Sequence, residues 1–154
     1  MKAARLHSYG NPSNFTFDEV ADPAPGPCEV LIRVIASSVN HIDLFMRQGT
    51  LHQMLPLEHP SVLGRDGAGT IVSVGAGVSG FKPGDRVAAL FPLNGRGAHA
   101  ELAVAPVGAV AHLPANVSFE EGATLPLAAV TGRLAVDALQ VKRGARVIVS
   151  GVAR

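Results

Sequence analysis

Short runs of alternating apolar and polar residues, punctuated by glycine and proline, fill the first two-thirds of the chain. Period-two alternation puts successive side chains on opposite faces and predicts half-buried strands. It predicts them near Lys2–His7, Phe15–Glu19, Val30–Ser38, Thr70–Val74, Arg86–Leu90, Ala98–Ala105 and Val110–His112. Ile42–Gln48 breaks the alternation and reads as a short helix, with Asn40 or His41 before it and Gly49 ending it. Many short strands with Gly/Pro turns indicate a mainly β barrel or sandwich.

The pattern changes at Ser118. The stretch SFEE, Ser118 to Glu121, is a capping box. Pro126 interrupts that helix and suits the first turn of the next one. Leu127, Val130, Leu134 and Ala138 then recur at helical spacing. Lys142, Arg143 and Gly144 form a turn, and Arg146–Ser150 reads as a strand.

Composition narrows the function classes. Of 154 residues, 47% are apolar and 16% charged, which argues for a packed core rather than disorder. With six Phe, one Tyr and no Trp, stacking platforms for single-stranded nucleic acid are poorly supplied. A net charge of +1 with scattered basic residues gives no footprint for a phosphate backbone. Cys28 is the only cysteine, so a disulfide within the chain and a multi-Cys zinc site are both excluded. A reducing, cytoplasmic setting is expected. The N-terminal MKAARLHSYG has no apolar run of signal-peptide length. Prolines and glycines break the longest charge-free run, so no membrane span is expected.

GAGVSG, Gly75 to Gly80, matches G-x-G-x-x-G after a strand, but FKPGDRV follows it. Pro83 and Gly84 forbid the helix that would hold a pyrophosphate, so this reads as a turn between strands. RVIVSG is the better nucleotide strand, yet it supplies only Gly151. The six histidines show no i, i+4 pair, no cysteine neighbours any of them, and surface or core roles are preferred. No G-x-S-x-G elbow supports a serine hydrolase.

Five stretches in order carry a resemblance: VLIRVIASSVNHIDLFMRQG, LGRDGAGTIVSVGAGVSGFKPGDRVAAL, GAHAELAV, LPANVSFEEGATLPLAAVTG and VKRGARVIVSG. The sequence resembles the medium-chain dehydrogenase/reductase superfamily, and most of all its zinc-independent quinone oxidoreductase and enoyl reductase branch. The resemblance implies a GroES-like, partly open β-barrel over 1–125. It implies that 126–154 is a connecting helix and the first strand of a Rossmann domain. It also implies hydride transfer from NADPH to a quinone or to the β-carbon of an enone, with negative charge building on the carbonyl oxygen. Where zinc-dependent members carry a Cys, this chain has Asn40. Where they carry His-Glu, it has Arg65-Asp66, so no zinc is expected.

In the zinc-free branch the Asn and Asp of an N-x-x-D stretch face cofactor and substrate, which maps to Asn40 and Asp43. A Thr near the domain junction approaches the nicotinamide, which maps to Thr131. Tyrosines that often follow N-x-x-D are replaced here by Phe45 and Leu51. Arg65 is a candidate for stabilising the oxyanion, and a structural ion pair with a nearby carboxylate is the preferred alternative. For Asn40 and Asp43 the alternative is capping of the short helix.

With only one Rossmann strand, the chain is expected to hold NADPH poorly on its own. A separate Rossmann-domain chain, or a longer parent, would supply the rest, and a homodimer is a further candidate partner. The competing expectation is a non-enzymatic GroES-like module, with Leu127, Val130 and Leu134 left without cover.

Overall fold

The structure is a computed structural model that describes residues 1–150. Among the described residues, eight strands form two sheets. They are β1 (Lys2–Leu6), β2 (Phe15–Glu19), β3 (Glu29–Ser38), β4 (Ser61–Val62), β5 (Asp66–Val74), β6 (Arg86–Leu90), β7 (Leu102–Pro106) and β8 (Val110–His112). One sheet has the order β2-β1-β4 and the other β7-β3-β5-β6-β8, and every ladder within them is antiparallel.

The segment before β7 joins the two sheets. Ala3 bridges Ala100, the Ala4 N–H donates to the His99 carbonyl at 2.8 Å, and the Val34 N–H donates to the Glu101 carbonyl at 3.0 Å. The result is a partly open barrel. Val30, Ile32, Ile71, Val87 and Phe91 fill its interior. A second core joins Leu6 of β1 to Met46, Leu57 and Leu63.

Three helices complete the described chain: α1 (His41–Gln48), α2 (Phe119–Gly122) and α3 (Ala128–Ala138). Asn40 is the N-cap of α1, and Gly49 ends it in the left-handed conformation at φ +78°. Ser118 and Glu121 form the expected capping box of α2, with the Glu121 N–H on the Ser118 hydroxyl at 3.1 Å.

β5 begins four residues before the strand expected at Thr70. DGAG has weak strand propensity, but it lies between β3 and β6, where only small residues fit. A Cβ on Gly69 would lie 1.9 Å from the Arg33 carbonyl oxygen, and one on Gly67 3.0 Å from the Phe91 ring. The strand expected over Ala98–Ala105 starts only at Leu102, because the residues before it pair with β1 instead. Gly75 to Gly80 is a turn between β5 and β6, as expected, with Gly77 and Gly80 at positive φ.

The strand expected at Arg146–Ser150 does not form. These residues join no ladder and are exposed, with Ile148 at 96%. A β-rich segment becomes a strand only beside another strand, and none lies next to it among the described residues. Gly151, expected to begin the nucleotide loop, lies outside the described residues. α3 forms where the helical spacing places it, but none of its residues is buried. No helix among the described residues is long and apolar enough to cross a membrane.

Gly69→Ala is expected to destabilise the fold by about 3 kcal/mol or to prevent folding, because the clash is with backbone on a central strand. Gly108→Ala, with nothing within 4 Å of its added Cβ, should stay within about 0.5 kcal/mol of the parent. Urea unfolding of both variants measures the contrast.

Candidate functional site

The ends of β3 and β5 pair at Ser38 and Asp66, and the start of α1 lies beside them. Asp66 is fully buried. Its Oδ2 accepts from Asn40 Nδ2 at 3.0 Å and from the Ser38 hydroxyl at 3.1 Å. Its Oδ1 has no partner. The Leu127 N–H, at the N-cap of α3, faces this carboxyl without reaching hydrogen-bond geometry. Burial pushes the Asp66 carboxyl above the usual carboxylate range, and the charge of Asp43 pushes the same way. The Asn40, Ser38 and Leu127 contacts pull it back.

Asp43 is also buried, at 5% exposure. Its Oδ2 accepts the Asn40 backbone N–H at 2.8 Å and its Oδ1 the Gly64 N–H at 3.2 Å. Asn40 therefore ties the two carboxylates together, one through its side chain and one through its backbone. The Asn40 and Asp43 contacts are those of helix capping and strand-end anchoring, and both carboxylate oxygens of Asp43 are committed.

Arg65 stands differently. Its Nη1 donates to the Phe91 carbonyl, while the Phe91 N–H donates back to the Arg65 carbonyl at 2.7 Å. Among the described residues it forms no ion pair with a carboxylate, which corrects the structural pairing expected for it. The reason is that Asp43 and Asp66 are turned inward, with both Asp43 oxygens and Asp66 Oδ2 taken by other donors. They act on Arg65 only through their charge. Partial burial pulls its pKa below the ordinary value and those two charges raise it. Arg65 is half-buried, and its Nε and Nη2 have no hydrogen-bond partner among the described residues.

Thr131 is exposed on α3, and its N–H donates to the Leu127 carbonyl at 3.0 Å. It connects to the Asp66 cluster through that one helical turn. The arrangement thus gathers Asn40, Asp43 and Arg65 around Asp66, with Thr131 at one remove.

His99 was grouped with the surface and core histidines on sequence grounds. It lies within reach of the Asp43 charge, and its Nδ1 sits 3.2 Å from the Ser37 hydroxyl. Burial lowers its pKa and keeps it neutral, with Asp43 opposing in part. Ser37 and His99 do not extend to a catalytic triad, because Asp43 spends both oxygens on backbone N–H groups. Nothing in the sequence spacing joins positions 37, 43 and 99. Only the barrel closure does. Among the described residues no three His, Cys, Asp or Glu side chains gather to hold a metal ion. Asn40 and Arg65 offer neither thiolate nor imidazole, so this donor set does not fit zinc.

Residues 26–115 match the family model of the alcohol dehydrogenase GroES-like domain. A quinone oxidoreductase from Sus scrofa is 39% identical over 153 residues, which is 98% of this chain and 45% of the relative. The chloroplastic quinone-oxidoreductase QR1 of Triphysaria versicolor is 36% identical over 137 residues, 88% of this chain and 42% of the relative. The chain therefore spans less than half the length of these relatives. Among solved structures, mycobacterial Rv1454c complexed with NADPH superposes with a TM-score of 0.83 at 34% identity, covering 94% of this chain and 43% of that one. An NAD-dependent alcohol dehydrogenase superposes with a TM-score of 0.85 at 33% identity, covering 94% and 49%.

Because the folded state raises the Asp66 pKa, the native protein holds this proton more tightly than the unfolded chain. Asp66 therefore costs stability as pH rises above the unfolded carboxylate value of about 4. Asp66→Asn removes that titration. Its stability relative to the parent should rise between about pH 4 and about pH 7 in paired urea titrations. A difference independent of pH would contradict the assignment.

Proposed function

The chain belongs to the alcohol dehydrogenase GroES-like domain family, within the medium-chain dehydrogenase/reductase superfamily, and from that membership we propose that it is the catalytic domain of an NADPH-dependent, zinc-independent reductase. Its substrate would be a quinone or an α,β-unsaturated carbonyl. The observation that carries this reading is the Arg65 guanidinium, anchored on the Phe91 carbonyl and claimed by no carboxylate among the described residues.

Hydride addition leaves negative charge on the substrate oxygen, and a fixed donor aimed at that oxygen lowers the barrier. Arg65 supplies such donors with its charge already in place. One N–H is spent on Phe91, which orients the guanidinium plane, and the others meet the oxyanion. Asn40 flanks the same end of β3, with its amide held by Asp66 and Ser38. Asp43 acts as a positioning residue, because it holds α1 and Gly64 in register and adds negative charge near Arg65.

NADPH supplies the hydride when bound. The chain's own residues suit its nicotinamide end: Thr131 is exposed, and Asn40 and Arg65 are only half-buried. Contacts for the pyrophosphate and adenosine would come from a Rossmann domain, and the proposed division places the barrel at 1–125 and the start of that domain at 126–154. The single cysteine, Cys28, supports a reducing, cytoplasmic setting.

A second reading has its own observation. An apolar groove of about 770 Å³ lies between α3 and the β6–β8 side, with Val110, Leu113, Val130 and Leu134 among its lining. Val130 and Leu134 are 50% and 61% exposed. Such a face suits a partner, either a second copy or a Rossmann-domain chain, and a module that works by association alone would also use it.

The test uses the chain alone and the chain co-expressed with the NADP-binding half of a quinone oxidoreductase. The chain alone should show no saturable NADPH binding, and the assembled pair should oxidise NADPH with a benzoquinone. In the pair, Arg65→Gln should lower kcat/KM by about 100-fold, and Arg65→Lys should restore only part of it. Unchanged rates in Arg65→Gln would overturn the role of Arg65. A stable assembly that neither binds nor oxidises NADPH would favour the module.

A further inference from the structure

Neighbouring serines of β3 serve opposite faces of the strand. Ser38 turns to Asp66, and Ser37 turns to His99. On the His99 side lie two cavities of about 210 and about 380 Å³. They share Ala4 and His99 in their walls, so the imidazole stands between them. Asp43 lines the smaller one, whereas Arg65, Asn40 and Asp66 line neither. Each cavity alone is small, but end to end they reach the size of ordinary small-molecule sites.

The lining is mixed and open at the rim: Asp43 and Arg47 join Phe15 and Leu44 in one cavity, and Lys2, Ser37 and Glu101 join the apolar residues of the other. Phe17 and Ile35 edge one cavity, at 86% and 50% exposure, and Val39 edges the other at 68%. Single exposed apolar residues need no explanation, but these line adjoining hollows. Alanines keep the floor shallow, and Phe15 and Phe17 stand one in each wall. A flat aromatic body suits such a slot better than a flexible chain, because it stacks on the phenyl rings.

His99 is built into this slot. Its ring rests on Gly64, where a Cβ would lie 2.7 Å from Nδ1 and 2.9 Å from Cε1. Nδ1 is tied to Ser37. Nε2 has no hydrogen-bond partner among the described residues, yet it is not among the sealed, unsatisfied atoms. It is therefore the polar edge left for a ligand. A neutral imidazole presents a donor or an acceptor there, according to its tautomer, and a hydroxyl group satisfies either.

We propose that the paired cavities form a binding site for a small aromatic alcohol, with its hydroxyl on His99 Nε2 and its ring against the phenyl side chain that lines the cavity it enters. The site lies apart from Arg65 and does not depend on the reductase reading.

The probe is 2-naphthol, with naphthalene as the counterpart that lacks the hydroxyl. Binding is followed by fluorescence and by the ring-nitrogen resonances of 15N-histidine-labelled protein. 2-Naphthol should bind saturably, move the His99 Nε2 signal, and bind about 3- to 10-fold tighter than naphthalene, the worth of one hydrogen bond. His99→Phe should abolish that preference while naphthalene still binds. Ile35→Lys, at an exposed rim position that tolerates change, should weaken both probes. The proposal fails if binding does not saturate, or if His99→Phe keeps the preference for naphthol. It fails equally if Ile35→Lys changes nothing while the amide resonances of Val130 and Leu134 move in uniformly 15N-labelled protein, which would put the probe in the α3 groove.

Discussion

The buried carboxylate of Asp66 is the constraint on which the rest of the site depends. A carboxyl without solvent must be hydrogen-bonded or it destabilises the fold. Asp66 meets this at Oδ2 by drawing in Ser38 from the end of β3 and Asn40 from the cap of α1. One buried oxygen therefore sets where a strand stops, where a helix starts and which way the Asn40 amide points. Asp43 repeats the logic one turn later, joining the α1 N-terminus to Gly64. Asp66 Oδ2 and both Asp43 oxygens are consumed by this work, and the consequence falls on Arg65. It feels both charges but pairs with neither, so its donors stay available.

Glycine makes the close approach around that cluster feasible. Gly67 and Gly69 let β5 lie against the Phe91 ring and the β3 backbone, while Gly64 makes room for the His99 ring. These are contacts of backbone with backbone or with a ring, so a methyl group there has no soft neighbour to displace. The glycines read as turn signals in the sequence and act in the fold as packing contacts. That is why β5 starts earlier than its propensity indicates.

Two surfaces are built differently from the barrel. α3 forms from its own helical spacing, yet every one of its residues stays out of the core. The neighbouring apolar groove leaves Val130 and Leu134 exposed on the same face. On the barrel itself, the His99 slot mixes apolar residues with Asp43, Arg47, Lys2 and Glu101. The first surface has the chemistry of association and the second that of a small ligand. The α3 groove shares no residue with the Asp66 cluster, whereas the His99 slot meets that cluster at Asp43.

Alternation, turn residues and caps by themselves determined the mainly β class, five strands to within a residue, the α1 stop at Gly49 and the capping box at Ser118. These are local properties, written in neighbouring residues. The motif stretches around Asn40, Asp43 and Arg65 also placed the candidate site, because those residues lie close to one another in the chain or in one strand pair. Only the tertiary structure decided that Arg65 lacks a carboxylate partner, since that depends on which way two buried side chains turn. It alone brought Ser37 and His99 together, 62 residues apart, through barrel closure. It also decided that Arg146–Ser150 is not a strand. β propensity describes a residue's fit to a sheet, whereas a strand needs a neighbour to supply its hydrogen bonds.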